Sequence, residues 1–264
     1  MTDELATRLN SAKTICVNAG ETALTYFNAR DSLNIEPKGH QDMVSQADRE
    51  VEQQIRAELA RLFPDDSIVG EEHAPIKGQS GFTWVIDPID GTANFVAGIP
   101  VWCVVLACVW QDKTVIGVIH DPVHNETFFA QSGHGAYCND KALQVAPSRG
   151  IDHGSVGVGF SNRSGKGNVA RLVAAIVERG GLFSRNASGA MSLAYVAAGR
   201  LIAYSEDHMN AWDCLAGQLL VAEAGGVIED QSADAVITDG GRVIVATPAV
   251  FDELLALSEA AFQN

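Results

Sequence analysis

Basic residues are scarce in this sequence: 18 Lys and Arg stand against 33 Asp and Glu, a formal net charge of −15. That balance argues against unaided binding to nucleic acid or to an anionic membrane, which both call for a basic face. It also raises a question for any anionic substrate, because the protein's own field repels it unless a bound polyvalent cation reverses that field locally. Long apolar runs are missing as well. No window approaches the roughly 18 apolar residues that span a membrane. The longest run, residues 101–110, is bounded by Pro100 and by Gln111-Asp112 and reads as a buried strand. The opening Met1-Thr2-Asp3-Glu4 has neither the basic nor the apolar segment of a signal peptide. Cys16, Cys103, Cys108, Cys138 and Cys214 are odd in number, widely spaced and without a CxxC pair. They predict reduced, mostly buried thiols of a cytoplasmic protein, not a disulfide frame or a zinc site. Internal repeats and low-complexity tracts are lacking too.

What is present suits a folded chain with a substantial core. The 264 residues are 47% hydrophobic and 19% charged, enough for one large domain or two modest ones. Leu5, Leu9, Ala12, Ile15, Cys16, Ala19, Ala23 and Tyr26 recur at three- and four-residue intervals and predict an amphipathic helix over 3–29. Pro37 and Gly39 predict a loop over 36–42, and a second helix follows over 47–62. Residues 82–87, 101–110, 114–120 and 126–130 are β-rich runs separated by turn residues, as in an antiparallel meander. After Pro147-Ser148-Arg149-Gly150 strands and helices alternate: strands over 155–160, 181–183, 201–205 and 242–246, helices over 169–178, 188–198 and 211–224. Thr247 and Pro248 cap and open a last helix. The expected division is an α+β half over 1–146 and an α/β half over 147–264.

The chemistry concentrates in Asp87-Pro88-Ile89-Asp90-Gly91-Thr92. The strand over 82–87 ends in a carboxylate, Pro88 is expected to stop its ladder, and Asp90-Gly91-Thr92 opens a short helix. Two carboxylates three residues apart across so tight a turn can converge on one cation, with the Ile89 carbonyl between them as a further hard oxygen donor. Such donors suit magnesium or manganese better than zinc. The amides of Gly91 and Thr92 would favour a phosphate oxygen. Alone, the segment reads equally as an Asx-rich turn with a helix cap. Its context is more specific. Gly70-Glu71-Glu72 follows a short β-like run upstream, and Ala211-Trp212-Asp213 opens a helix that ends at Glu223-Ala224-Gly225-Gly226.

These three motifs, in this order and spread over nearly the whole chain, resemble those of the inositol monophosphatase family. The resemblance implies a layered αβαβα sandwich, an α/β (α+β) fold with an N-terminal antiparallel sheet. It implies a Mg²⁺-dependent phosphoric monoester hydrolase acting on inositol monophosphate, with histidinol phosphate and sugar phosphates as alternatives. Glu71, Asp87 and the Ile89 carbonyl would hold a first Mg²⁺; Asp87, Asp90 and Asp213 a second; Glu71 would touch a third, weaker one. Four carboxylates in one cleft could not all stay ionised without cations, and two or three Mg²⁺ would turn the repulsion of phosphate into attraction. Thr92 and Asp48 match the pair that orients the attacking water, with Glu71 assisting as base. Lys38 and Asp42 lie on the loop that folds over the metals in relatives. Asp90, Gly91, Thr92, Arg185, Ala187, Ser188, Gly189, Glu206 and Asp213 match positions that contact substrate. Around them, Asn186-Ala187-Ser188-Gly189-Ala190 departs from the commoner Gly-Ser-Ala-Ala, with Ala187 in the usual Gly place. A homodimer and lithium inhibition are implied by the resemblance as well. A different class, a non-catalytic regulator binding RNA or transcription machinery, is opposed by the intact acidic set and by the net charge.

Other features carry less. Gly159…Gly165-Lys166-Gly167 is one residue too long for a phosphate loop, and Gly167 stands where Ser or Thr would bind magnesium. His120, His124, His134, His153 and His208 lack paired ligand spacing, Trp102 and Trp110 read as sheet packing, and Ser188 has no nucleophile-elbow context.

Overall fold

The computed structural model describes residues 2–30, 35–39, 42–161, 163, 165 and 167–263, with backbone alone at 2, 35–39 and 42–45. Helix α1 (Thr2–Asn28) buries Ala12, Ile15, Cys16, Ala19, Ala23 and Phe27, the stripe that the sequence spacing sets. Of residues 36–42, expected as a loop, 36–39 and 42 instead lie in two antiparallel strands, β1 (Ile35–Gly39) and β2 (Asp42–Ser45). His40, Gln41 and the side chains of Lys38 and Asp42 lie outside what the structure describes. Helix α2 (Gln46–Leu62) follows directly.

A seven-stranded sheet comes next, in the order β3 (Ser67–Gly70), β4 (Phe82–Asp90), β5 (Cys103–Trp110), β6 (Lys113–Asp121), β7 (Glu126–Gln131), β8 (Ala136–Cys138), β9 (Lys141–Ala142). All neighbours are antiparallel except β3, which runs parallel to β4. Pro88 does not end its strand. It sits in an irregularity between Asp87 and Asp90, after which Asp90 pairs with Cys103. A proline can occupy such a bulge because the ladder there needs no N–H from it. Helix α3 (Thr92–Ala97) turns the chain away from the sheet.

The second sheet has five strands in the order β11 (Leu182–Ser184), β10 (Ser155–Val158), β12 (Ala203–Met209), β14 (Gly241–Ala246), β13 (Val227–Ile228). Its helices are α4 (Asn168–Glu178), α5 (Gly189–Ala197), α6 (Ala211–Glu223), α7 (Ala233–Asp239) and α8 (Pro248–Phe262). Lys166 is outside the described residues. The two-residue period of the strands divides the core. Trp84, Ile86, Val104 and Leu106 face α1 and α2, whereas Val85, Val105 and Ala107 face α5 and α6. The same α5–α6 layer takes Tyr204, Val243 and Val245 from the second sheet, and α4 and α8 cover that sheet's outer face. The result is the αβαβα sandwich. Helix α6 lies very close to β6: a Cβ at Gly117 would stand 2.7 Å from the Ala216 carbonyl oxygen.

Trp102 is fully buried against Phe27 and Phe95, and Trp110 stacks on Phe82. The five cysteines are free, four of them buried. Among the described residues no helix is long and apolar enough to cross a membrane.

Candidate active site

Two elements bring the acids together. The β4 bulge delivers Asp87 and Asp90, and the first turn of α6 delivers Asp213. One carboxylate oxygen from each lies within 4.8 Å of the others. Asp87 Oδ1 accepts the Ile89 N–H at 3.0 Å, closing the local turn. Asp90 Oδ2 accepts the Ser188 hydroxyl and the Ala190 N–H (2.9 Å), which ties β4 to the start of α5. The Cys103 thiol stands 3.7 Å from the same oxygen. Asp213 Oδ2 accepts the Asn210 N–H at 3.1 Å and its Nδ2 at 3.3 Å, a reciprocal cap that fixes the helix start.

Electrostatics make this arrangement costly by itself. Burial, and then the charges of Glu71, Asp90 and Asp213, push Asp87 well above the usual carboxylate range. Asp213 is raised to about 7 by burial and by Asp90. Asp90 is raised by burial, in part offset by the Ser188 and Ala190 hydrogen bonds. Asp87 and Asp213 lie within reach of one another and titrate together, so a proton is retained between them above the usual carboxylate range. Buried, mutually repelling oxygen donors fit a hard divalent cation, whose charge would release that proton and hold all three ionised.

The remaining expected residues fall around this triad. Glu71, just past β3 and partly buried, stands outside the tight triad, yet its charge is felt at Asp87. Thr92 Oγ1 lies 3.1 Å from Asp48 Oδ1 and 3.1 Å from the Ile89 carbonyl. Asp48 is buried in the first turn of α2, so a helix of the outer layer reaches the site through Thr92. Gly91 adopts φ 97°, a left-handed conformation that glycine takes without a Cβ clash, and it caps α3.

Asp90, Arg185, Ala187, Ser188, Gly189, Glu206 and Asp213 share a cleft of about 150 Å³ with Phe160, Asn186, Tyr204 and Met209. Ser188 is buried, with its hydroxyl engaged by Asp90. Ala187 takes φ 61°, the left-handed region where a glycine would be unstrained. On the opposite wall Tyr204 Oη donates to Glu206 Oε2 at 2.5 Å. Burial raises Glu206 to about 8, the Tyr204 hydrogen bond opposing it and the nearby acids adding to it.

Sequence reasoning passed over Tyr204, Cys103 and Asn210. Tyr204 had a signal, since residues two apart on a strand share a face and Glu206 was already singled out. Cys103 had none: its approach to Asp90 follows from the register of β5 on β4. Of the histidines weighed from the sequence, none joins the triad of Asp87, Asp90 and Asp213: His120 bonds Thr127 in the core, and His124 pairs with Asp121.

The profile of the inositol monophosphatase family matches residues 4–261. The Nus factor SuhB of Haemophilus influenzae is 36% identical over 250 residues, 94% of each chain. The inositol-1-monophosphatase of Mesorhizobium japonicum is 36% identical over 251 residues, again 94% of each. Among solved structures, the extragenic suppressor protein suhB from Bartonella henselae superposes with a TM-score of 0.89 at 31% identity, covering 98% of this chain and 99% of that one.

Proposed function

The chain belongs to the inositol monophosphatase family, and on that footing we propose that it is a magnesium-dependent phosphatase of small phosphomonoesters, inositol monophosphate foremost. The observation that carries this reading is the convergence of Asp87, Asp90 and Asp213 within 4.8 Å, two of them lining the cleft. Glu71, Asp87 and the Ile89 carbonyl would hold one Mg²⁺, and Asp87, Asp90 and Asp213 a second, with Glu71 also beside a third. When bound, these ions offset the acidic field, attract a phosphate dianion, acidify water and stabilise the leaving oxygen.

The chain's own residues position the reaction. Asp48 accepts the Thr92 hydroxyl proton, which leaves the Thr92 oxygen free to accept a hydrogen from the attacking water. Glu71 receives one proton of that water as it attacks phosphorus in line with the departing oxygen; the other stays on the phosphate, and the alkoxide takes up a proton from solvent to leave as the alcohol. Gly91 and Thr92 present backbone amides to the phosphate. Arg185 and the segment Ala187-Ser188-Gly189 form one wall for the alcohol, and Glu206 the other. With its folded value near 8, Glu206 can donate to or accept from a polyol hydroxyl near neutral pH. The family likeness also supports a cytoplasmic homodimer.

A second reading, a regulatory binding protein, has one observation in its favour: several relatives are named Nus factor SuhB. The net charge of −15 and the complete acidic set favour catalysis. The test is a kcat/KM ranking over inositol 1-phosphate, histidinol phosphate, fructose 1,6-bisphosphate and adenosine 3′,5′-bisphosphate, with and without Mg²⁺. Absence of metal-dependent phosphate release from all four, together with RNA or protein capture unaffected by Asp90→Asn, would favour the regulatory reading.

A further inference from the structure

Helix α2 carries a second device besides Asp48. Glu52 lies one turn further along the same face, and Arg56 one turn beyond that. Glu52 is fully buried, and a carboxylate in that position requires partners. Arg56 Nε donates to its Oε1 at 2.6 Å, and the Glu72 backbone N–H donates to its Oε2 at 2.7 Å. His73 Nδ1 stands 3.4 Å from Oε1. The Arg56 guanidinium then reaches past Glu52 to the carbonyls of His73 (3.0 Å) and Ala74 (3.1 Å). On the other side of Glu71, a Cβ at Gly70 would stand 2.3 Å from Glu52 Oε1, so the end of β3 lies flush on the carboxylate.

Glu71 is thus bracketed. Its preceding residue rests on Glu52, its following residue is hydrogen-bonded to Glu52, and the next two are held by Arg56. We propose that Glu52 and Arg56 are positioning residues for Glu71: they immobilise the backbone on both sides of it and so set how well its carboxylate serves a divalent cation. This rests on the reading of Glu71 as a cation ligand. It gives α2 two parts in one site, Asp48 toward Thr92 and the Glu52–Arg56 pair toward Glu71. Outer-shell groups that orient a ligand in this way alter metal affinity by roughly 10–100-fold when replaced.

The substitution Glu52→Gln tests it. The amide keeps the volume but has one acceptor oxygen for two donors, Arg56 Nε and the Glu72 N–H. One contact must fail. Mn²⁺ binding to the full-length protein, measured by calorimetry without substrate, is compared in wild type, E52Q, E71Q and the double variant. E52Q is expected to weaken binding about tenfold, and to change it less than about twofold in the E71Q background, where the Asp triad still binds. Equal weakening in both backgrounds would overturn the inference, because Glu52 would then act on the fold rather than through Glu71. If E71Q binds Mn²⁺ as wild type does, Glu71 leaves the ligand set and the inference falls with it. Arg56→Lys, which keeps the charge but cannot span Glu52 and both carbonyls, runs through the same cycle and must give the same pattern if E52Q fails to fold.

Discussion

Replacing Asp90 by Asn should make the metal-free protein more stable and leave it unable to use metal. Asp90 Oδ2 takes the hydrogen bonds from Ser188 and Ala190, so the Asn oxygen can occupy that place and keep both. The amide nitrogen then replaces Oδ1. What is lost is one negative charge within 4.8 Å of Asp87 and Asp213. Two unit charges at that separation repel by about 3 kcal/mol at an effective dielectric near 20. The repulsion relieved is that of Asp90 with Asp213. The gain is therefore about 2–3 kcal/mol at pH 8, where Asp213, raised to about 7, is ionised. For a chain of this size that raises Tm by roughly 4–10 °C. At pH 5.5 Asp213 is largely protonated, and the gain should shrink toward zero. Thermal denaturation followed by circular dichroism in EDTA, at both pH values, reads the first effect. The same scans in 10 mM Mg²⁺, about a saturating concentration for a Mg²⁺-dependent enzyme, should raise the Tm of wild type through ligand linkage and leave D90N nearly unmoved. A D90N protein less stable than wild type in EDTA at pH 8, yet still stabilised by Mg²⁺, would refute the reasoning.

Metal-free wild type should itself lose stability as pH rises. Asp213 and Glu206 have folded values raised to about 7 and about 8, so their contribution is complete below about pH 4 and is lost as pH climbs through those values. Melting in EDTA from pH 5 to 8.5 should show Tm falling across that window, and a flat profile would contradict the burial of these acids. Thr92→Val removes the hydroxyl bonded to Asp48. It should lower kcat by roughly 100-fold or more with KM changed little, and an unchanged kcat would take Thr92 out of water positioning. Gly117→Ala places a Cβ 2.7 Å from the Ala216 carbonyl and must push α6, with Asp213 at its start, off the sheet. A loss of about 1–3 kcal/mol by urea denaturation is expected, together with weaker Mg²⁺ activation.

The acids of the site were legible because turn chemistry and helix starts are local. Asp87-Pro88-Ile89-Asp90-Gly91-Thr92 encodes its own bulge and cap, and Asp213 follows its Asn210 cap by three residues. The layers were legible too, since the α1 stripe and the alternation in β4 and β5 each follow one period. Contacts across elements were harder. The Cys103 approach and the Glu52–Glu72 bond are set by how strands and helices dock, and Glu52 reads in sequence as another solvated acid of a helix. Short elements with little apolar pattern escaped as well. The paired strands β1 and β2 include Pro37 and Gly39, and α7 is capped by Ser232 but buries only Ala233 and Val236. Pro88 misled in one respect, because a bulge admits a proline where a regular ladder would not.

The most direct measurement is inorganic phosphate release from inositol 1-phosphate across a Mg²⁺ titration from zero to saturation, for wild type and for Asp213→Asn. The account predicts no release without cation, saturable activation in wild type, and activation in D213N that is shifted to much higher Mg²⁺ or lost while the protein stays folded. Release that is independent of Mg²⁺, or equal Mg²⁺ activation in both proteins, would contradict it.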